Sequence, residues 1–240
     1  MGILRTKTIE PATGSTLTLG ASGDTITVSS DSIKVNTFKD AGGNTLFTSD
    51  GAGTLSSINS ALVPYGPILI STATASNASS VAITSGITST YDEYMFVMTD
   101  IHSRNNDVGF KFQVNAAGQT GYNETVTSTY FQAWHDEADS AVALEYKTGS
   151  DLAQGTDEIM MSHQGSDADQ AGAIILHLFS PASTTYVKHY YFRCGSYQAD
   201  DRAYNEFGAG YINTTAAIDE IKFIMSSGNF DGVIQMYGIK

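Results

Sequence analysis

Apolar and polar residues change places every second position through the last quarter of the chain, and the pattern is clearest at its end. Ile221, Phe223 and Met225 alternate with Lys222, Ile224 and Ser226, and after a turn-rich stretch from Ser227 to Gly232 a second run, Val233 to Tyr237, resumes. Alternation with period two puts successive side chains on opposite faces of a strand, and a Gly/Asn/Asp cluster permits the positive φ angles of a reversal. The reading is a C-terminal hairpin, with residues 233–239 paired to Ile218–Met225 and built into the sheet.

Runs of the same kind recur from Ile68 onward, at residues 68–72, 80–87, 93–101, 108–115, 141–146, 158–162, 172–179 and 186–194. With the two terminal strands they make ten candidates, joined by polar or Gly-containing segments and without sustained 3.6-residue periodicity. That predicts an all-β chain whose main part, residues 64–240, is an antiparallel β-sandwich, most simply a jelly roll. Tyr94 to Met98 and Ala173 to Leu176 are apolar throughout, as in central strands or strands covered on both faces. Residues 116–140 read as a long loop holding Tyr122, Tyr130, Phe131 and the single tryptophan, Trp134.

Residues 1–63 are different. Thr16-Leu17-Thr18-Leu19 returns nine residues later as Thr25-Ile26-Thr27-Val28, and Thr45-Leu46-Phe47 follows a reversal at residues 40–44. Each such strand offers two apolar side chains, too little to offset the roughly 1–2 kcal/mol of backbone entropy lost per ordered residue. The segment is expected to need copies of itself or a partner. Residues 54–62 suit either a two-turn helix, with Thr54 as N-cap and Leu55, Ile58 and Leu62 on one face, or another irregular strand. Pro64 and Pro67 mark the boundary with the larger domain.

Charge changes the functional picture more than the fold. Twelve Lys and Arg against 25 Asp and Glu give a net charge of −13, which argues against binding nucleic acid, since that depends on basic residues neutralising phosphates. No window approaches the ~20 apolar residues of a membrane span, and no secretory leader is recognisable at the N-terminus, so membrane insertion is not expected. The single cysteine, Cys194, excludes an internal disulfide and reads as a buried thiol in a strand.

The repeated Thr/Ser/Gly strands near the N-terminus, residues 8–20 and 42–51, resemble shaft or attachment segments of tailed-bacteriophage fibre proteins. The strand, Ser-Gly-Asn turn and terminal Met236-Tyr237-Gly238-Ile239-Lys240 resemble the C-termini of virion appendage proteins of marine and cyanobacterial phages. The resemblance implies a structural virion protein, tail-fibre or head-fibre in type, homotrimeric and assembled in the host cytoplasm. Residues 1–63 would grip other virion proteins, and the C-terminal sandwich would recognise a host-surface glycan or protein receptor. A capsid decoration protein without a receptor role and a glycan-degrading β-sandwich enzyme remain the alternatives.

For catalysis the residues offer little, and the chain is expected not to be an enzyme. Asp136, Glu137, Asp139, Asp167, Asp169, Asp200 and Asp201 are carboxylates of the type that glycosidases pair across a bond, but they read as solvated loop charge. The stretches at His135 and His163 lack the spacing of a calcium loop or zinc motif, so no metal or cofactor is expected. No Gly-x-Ser-x-Gly elbow and no phosphate-binding loop occur. Aromatic rings beside carboxylates suit sugar faces and hydroxyls, which makes Trp134, His135, Tyr197 and Tyr204 the candidate glycan or receptor contacts.

Overall fold

The computed structural model describes residues 35–52, 54–56, 58–59 and 66–240; the Thr-rich repeat at residues 16–28 lies outside them. The chain divides into two units, Met1–Pro64 and Tyr65–Lys240. All described strands pair antiparallel, and no described residue is helical.

In the first unit β1 (Thr37–Lys39), β2 (Thr45–Ser49) and β3 (Leu55–Ser56) form a small sheet in that order. The β1–β2 reversal is fixed by the Asp40 carboxylate, which accepts the Asn44 backbone N–H at 2.8 Å, and by Gly43 at φ 84°. Phe38 stacks on Phe47 with ring centroids 5.3 Å apart. Of the two readings open for residues 54–62, Leu55 and Ser56 take the strand, paired with Ser49 and Thr48.

The second unit contains β4 (Ile68–Ala78), β5 (Ser80–Ile83), β6 (Glu93–Ser103), β7 (Val108–Ala116), β8 (Val126–Asp136), β9 (Val142–Tyr146), β10 (Ala153–Gly155), β11 (Ile159–Gln164), β12 (Gly172–Phe179), β13 (Lys188–Gln198), β14 (Arg202–Ile212), β15 (Ile218–Met225) and β16 (Phe230–Ile239). Eight of them follow the jelly-roll order, β4-β16-β6-β12 in one sheet and β5-β15-β7-β11 in the other. The rest are two insertions, β8 to β10 between β7 and β11, and β13 with β14 between β12 and β15. Both join the first sheet beyond β12, widening it to nine strands against four.

The core lies between the sheets. Phe96 of β6 meets Phe223 of β15 at 5.7 Å, Phe110 of β7 meets Phe230 of β16 at 5.3 Å, and Phe112 of β7 meets Tyr190 of β13 at 5.2 Å, all edge-on. Such pairs add about 0.5–1.5 kcal/mol to the burial of each ring.

The expected C-terminal hairpin is not formed. β15 pairs with β5 and β7, whereas β16 pairs with β4 and β6 in the opposite sheet. Ile221, Phe223 and Met225 face Phe230, Ile234 and Met236 across the core, and all six are buried. Alternation reports only that a strand has one buried face; two strands of one sheet and two strands facing each other leave the same pattern.

Residues 116–140 are not a long loop either. Their second half is β8, which pairs with β14 over eleven positions. β14 itself was not among the ten sequence candidates, because its inward positions include Glu206, Gly208 and Gly210 in place of a regular apolar series. A Cβ on Gly208 would stand 2.2 Å from the Phe192 ring, and one on Gly210 would stand 2.4 Å from the Thr127 carbonyl. Bare backbone at these two positions lets the rings of β13 lie across β14.

Central position explains the fully apolar runs. β6 and β12 sit side by side within the large sheet, with Tyr94, Phe96, Met98, Ile174 and Leu176 buried inward. Their other faces remain apolar yet open, with Met95 and Val97 half-buried and Ile175 exposed.

Candidate functional site

The smaller sheet is too narrow to cover the inner face of the inserted strands, and a polar cleft opens where it stops. The cleft encloses about 420 Å³ and is lined by Asn106 and Asp107 of the β6–β7 turn, His163 of β11, Gln132 of β8, Lys147 after β9, Gln198 and Asp200 at the β13–β14 turn, and Tyr204 of β14. Pairing places Trp134 opposite Tyr204 and Gln132 opposite Glu206, so all four share the inner face of β8 and β14.

Around the cleft the polar groups hold one another. Trp134 Nε1 and Gln132 Nε2 both donate to Glu145 Oε1, at 3.2 and 2.8 Å, and Lys147 Nζ lies 3.6 Å from the same oxygen. These donors hold the Glu145 carboxyl below its usual range. The Arg202 guanidinium lies 3.8 Å over the Trp134 ring, and its Nη1 meets Asp200 Oδ2 at 2.9 Å. Tyr204 donates to that same Asp200 oxygen at 2.8 Å, and the Trp134 and Tyr204 rings are 6.4 Å apart.

Beneath the cleft is a buried carboxylate. Glu206 Oε1 accepts from the Tyr130 hydroxyl at 2.7 Å, from Gln198 Nε2 at 3.2 Å and from the His163 backbone N–H at 3.3 Å, while Ser196 Oγ donates to Oε2 at 3.3 Å. Burial pushes its carboxyl up to about 7 despite these donors. Burial also keeps the His163 imidazole below its ordinary value, which favours its neutral form.

Two of the four candidate contacts meet here and two do not. Tyr204 lines the cleft, and Trp134, paired with it across β8 and β14, lies beside it under the Arg202 guanidinium. His135 and Tyr197 project from the opposite face of the sheet, both paired to Ala203, because each is one residue away along its strand from an inward position. His135 lies 3.3 Å from Asp139, and the Tyr197 hydroxyl donates to Asp201 Oδ1 at 3.0 Å. Arg202, Gln132, Gln198, Lys147 and Glu206 escaped the sequence reading. An Arg and a Glu two residues either side of Tyr204 in a strand register were the available signal.

Two of the carboxylates read as loop charge are held by neighbouring groups. Asp136 accepts the backbone N–H groups of Ser140 and Ala141 at 2.8 and 3.2 Å, and Asp200 is engaged by Arg202 and Tyr204. Among the described residues no three His, Cys, Asp or Glu side chains converge as a metal site would require. Cys194, inward on β13 and fully buried, has its thiol pushed up by burial first and by the nearby Glu206 charge second. The cleft therefore offers hydrogen-bond donors and acceptors beside the Tyr204 ring, a set suited to holding a polyhydroxylated ligand. No protein-family model matches the chain, and no curated protein matches it.

Proposed function

We propose that the chain is a structural subunit of a tailed-phage appendage, attached through residues 1–63, and that its jelly roll presents the cleft lined by Tyr204 and Asp200 and flanked by Trp134 and Arg202 to a host-surface saccharide. What supports this reading is the position of the cleft along the strands. The chain enters the jelly roll at Ile68, which pairs with Gly238, and the rows at that end run through Tyr94, Leu178, Tyr190 and Gly210. Trp134 and Tyr204 lie in the row of Ser196, Gly172 and Ile101, toward the other end. Six to seven residues at about 3.3 Å each put roughly 20–23 Å between the point of entry and the cleft. An attached head needs this polarity, with its tether at one end and its recognition surface at the other.

Glycan-array binding of the full chain, with Trp134→Ala and Arg202→Ala as comparisons, tests the reading. The expected result is saccharide binding weakened at least tenfold by either substitution. Binding that both variants retain in full places recognition elsewhere, and saccharide turnover by the native chain favours the enzyme alternative.

A further inference from the structure

The large sheet has a second face, turned away from the core, and its composition is unlike the rest of this acidic chain. Val142 and Leu144 on β9 are 66% and 75% exposed, and Tyr146, Phe131, Tyr191 and Ile175 continue an open apolar surface across β8, β13 and β12. Strand register fixes these residues on one face: Tyr146 is opposite Phe131, Phe131 opposite Phe207, Phe207 opposite Arg193, and Arg193 opposite Ile175. Phe131 stacks on Phe207 at 4.9 Å and His177 on Tyr191 at 4.6 Å, so rings of adjacent strands pack face to face across the sheet.

We infer that this face, centred on Phe131, Ile175 and Tyr191 and edged by Leu144, is the surface through which copies of this chain associate. The inference names the contact face for the assembly proposed above and rests on that reading. Two observations commit the face to a second copy. The first is charge. In the rows that pass through Ala133, Phe131 and Thr129 the one carboxylate is Asp100, at the β6 bulge opposite Ala173; at the margins Asp151 accepts from the Tyr146 hydroxyl and Glu93 lies against His177. On a chain of net charge −13, this is a surface whose few carboxylates are kept to its edges, where identical acidic subunits can meet with little carboxylate repulsion. The second is size. Seven strands from β9 to β16 at about 4.8 Å spacing span about 29 Å, and the three rows, about six residues along the strands, span about 20 Å. The product, about 580 Å² in projection or about 1,160 Å² over two partners, clears the roughly 1,000 Å² expected of a biological interface.

A flat polysaccharide is the competing occupant, and the side chains disfavour it. Val142, Leu144, Ile175, Val97 and Met95 lie among the rings, and aliphatic groups are stabilised by another apolar surface, not by rows of sugar hydroxyls.

Light scattering of the full chain at micromolar concentration, compared with a Leu144→Lys, Ile175→Lys variant, decides between the outcomes. The native chain should show a multiple of the chain mass, and the variant should fall to the mass of one chain with its circular dichroism unchanged. A folded native monomer overturns the inference together with the assembly part of the proposed function. A native oligomer whose mass the variant keeps overturns the inference alone. Oxidative footprinting of the unsubstituted chain keeps the question open to test should the variant fail to fold. Met95 and Tyr191 should be protected at high concentration and label at least fivefold faster on dilution, and concentration-independent labelling counts against the interface. Retention of the native chain on insoluble polysaccharide, abolished by the substitutions without a change of mass, assigns the face to the competing occupant and also overturns the inference.

Discussion

The Tyr130 hydroxyl donates to Glu206 Oε1 at 2.7 Å, between adjacent strands of the large sheet and closed off from solvent. Neither side chain has water to fall back on. The bond is strongest when Glu206 is ionised, yet ionisation is what burial opposes, and the balance leaves the carboxyl at about 7. Burial first and the Glu206 charge second push the Tyr130 phenol far above its ordinary value, so Tyr130 remains a donor at any physiological pH.

Stability should therefore decline from about pH 4.5 to about pH 7. The folded state holds the Glu206 proton up to about pH 7 and the unfolded chain releases it near 4.5, so the folded state binds more protons in that window, and stability falls as pH rises through it and levels off above. A displacement of this size corresponds to on the order of 3 kcal/mol. Glu206→Gln keeps an acceptor for Tyr130 and removes the ionisation, so urea unfolding should show a flatter profile between pH 5 and 8 and a higher midpoint at pH 8. A profile identical to the native one would mean that other groups set the slope.

Deleting residues 232–240 should leave the protein unfolded or insoluble. β16 is the middle of three strands, hydrogen-bonded to β4 on one side and β6 on the other, and its loss opens both ladders and uncovers Phe96 and Phe223. Ile234 and Met236 alone contribute about 1.5–3 kcal/mol each by burial, against a typical margin of ~5–15 kcal/mol. Removing Lys240, which lies beyond the strand, should leave thermal unfolding unchanged; a soluble 1–231 fragment with native circular dichroism would show β16 to be dispensable.

Gly210→Ala should destabilise the larger unit by about 1–3 kcal/mol, the usual range for an overpacked site. The added methyl group meets a backbone carbonyl and the Tyr190 hydroxyl at 2.4 and 2.7 Å. Gly195→Ala on the neighbouring β13, where nothing lies within 4 Å, is the control. The two should separate clearly in chemical denaturation.

Cys194 should resist thiol reagents in the native state and react stoichiometrically after denaturation. The thiol is fully buried and its pKa is raised, so neither access nor thiolate is provided. Rapid labelling of the native chain would indicate that β13 opens on the experimental timescale.

The fold class was legible because period-two alternation survives wherever a strand has one apolar face, as in β12 with Gly172, Ile174, Leu176 and Leu178 inward. Pairing partners were not legible. Val233 to Tyr237 carries the same pattern whether it lies beside Phe223 or across the core from it. β8 and β14 escaped the reading for the opposite reason, since their inner face borders a polar cleft and carries Arg202, Tyr204, Glu206 and Gln132 where the pattern expects hydrophobes. At the cleft, residue type pointed to Trp134 and Tyr204, but their neighbours His135 and Tyr197 look equally suitable until register turns them to the other side. Register is set by long-range pairing, which a local reading does not contain.

The pairing of Ile68 with Gly238 brings the entry and exit of the jelly roll side by side, and it has a mechanical meaning. A force that enters at Ile68 and leaves near the Trp134 end runs along β4 and loads its hydrogen bonds to β16 in shear, so that many share the tension at once. A force that draws Ile68 away from Lys240 peels the same two strands apart one bond at a time. The same ladder is therefore tough when the head is pulled lengthwise against its tether and weak when its two chain ends are pulled apart.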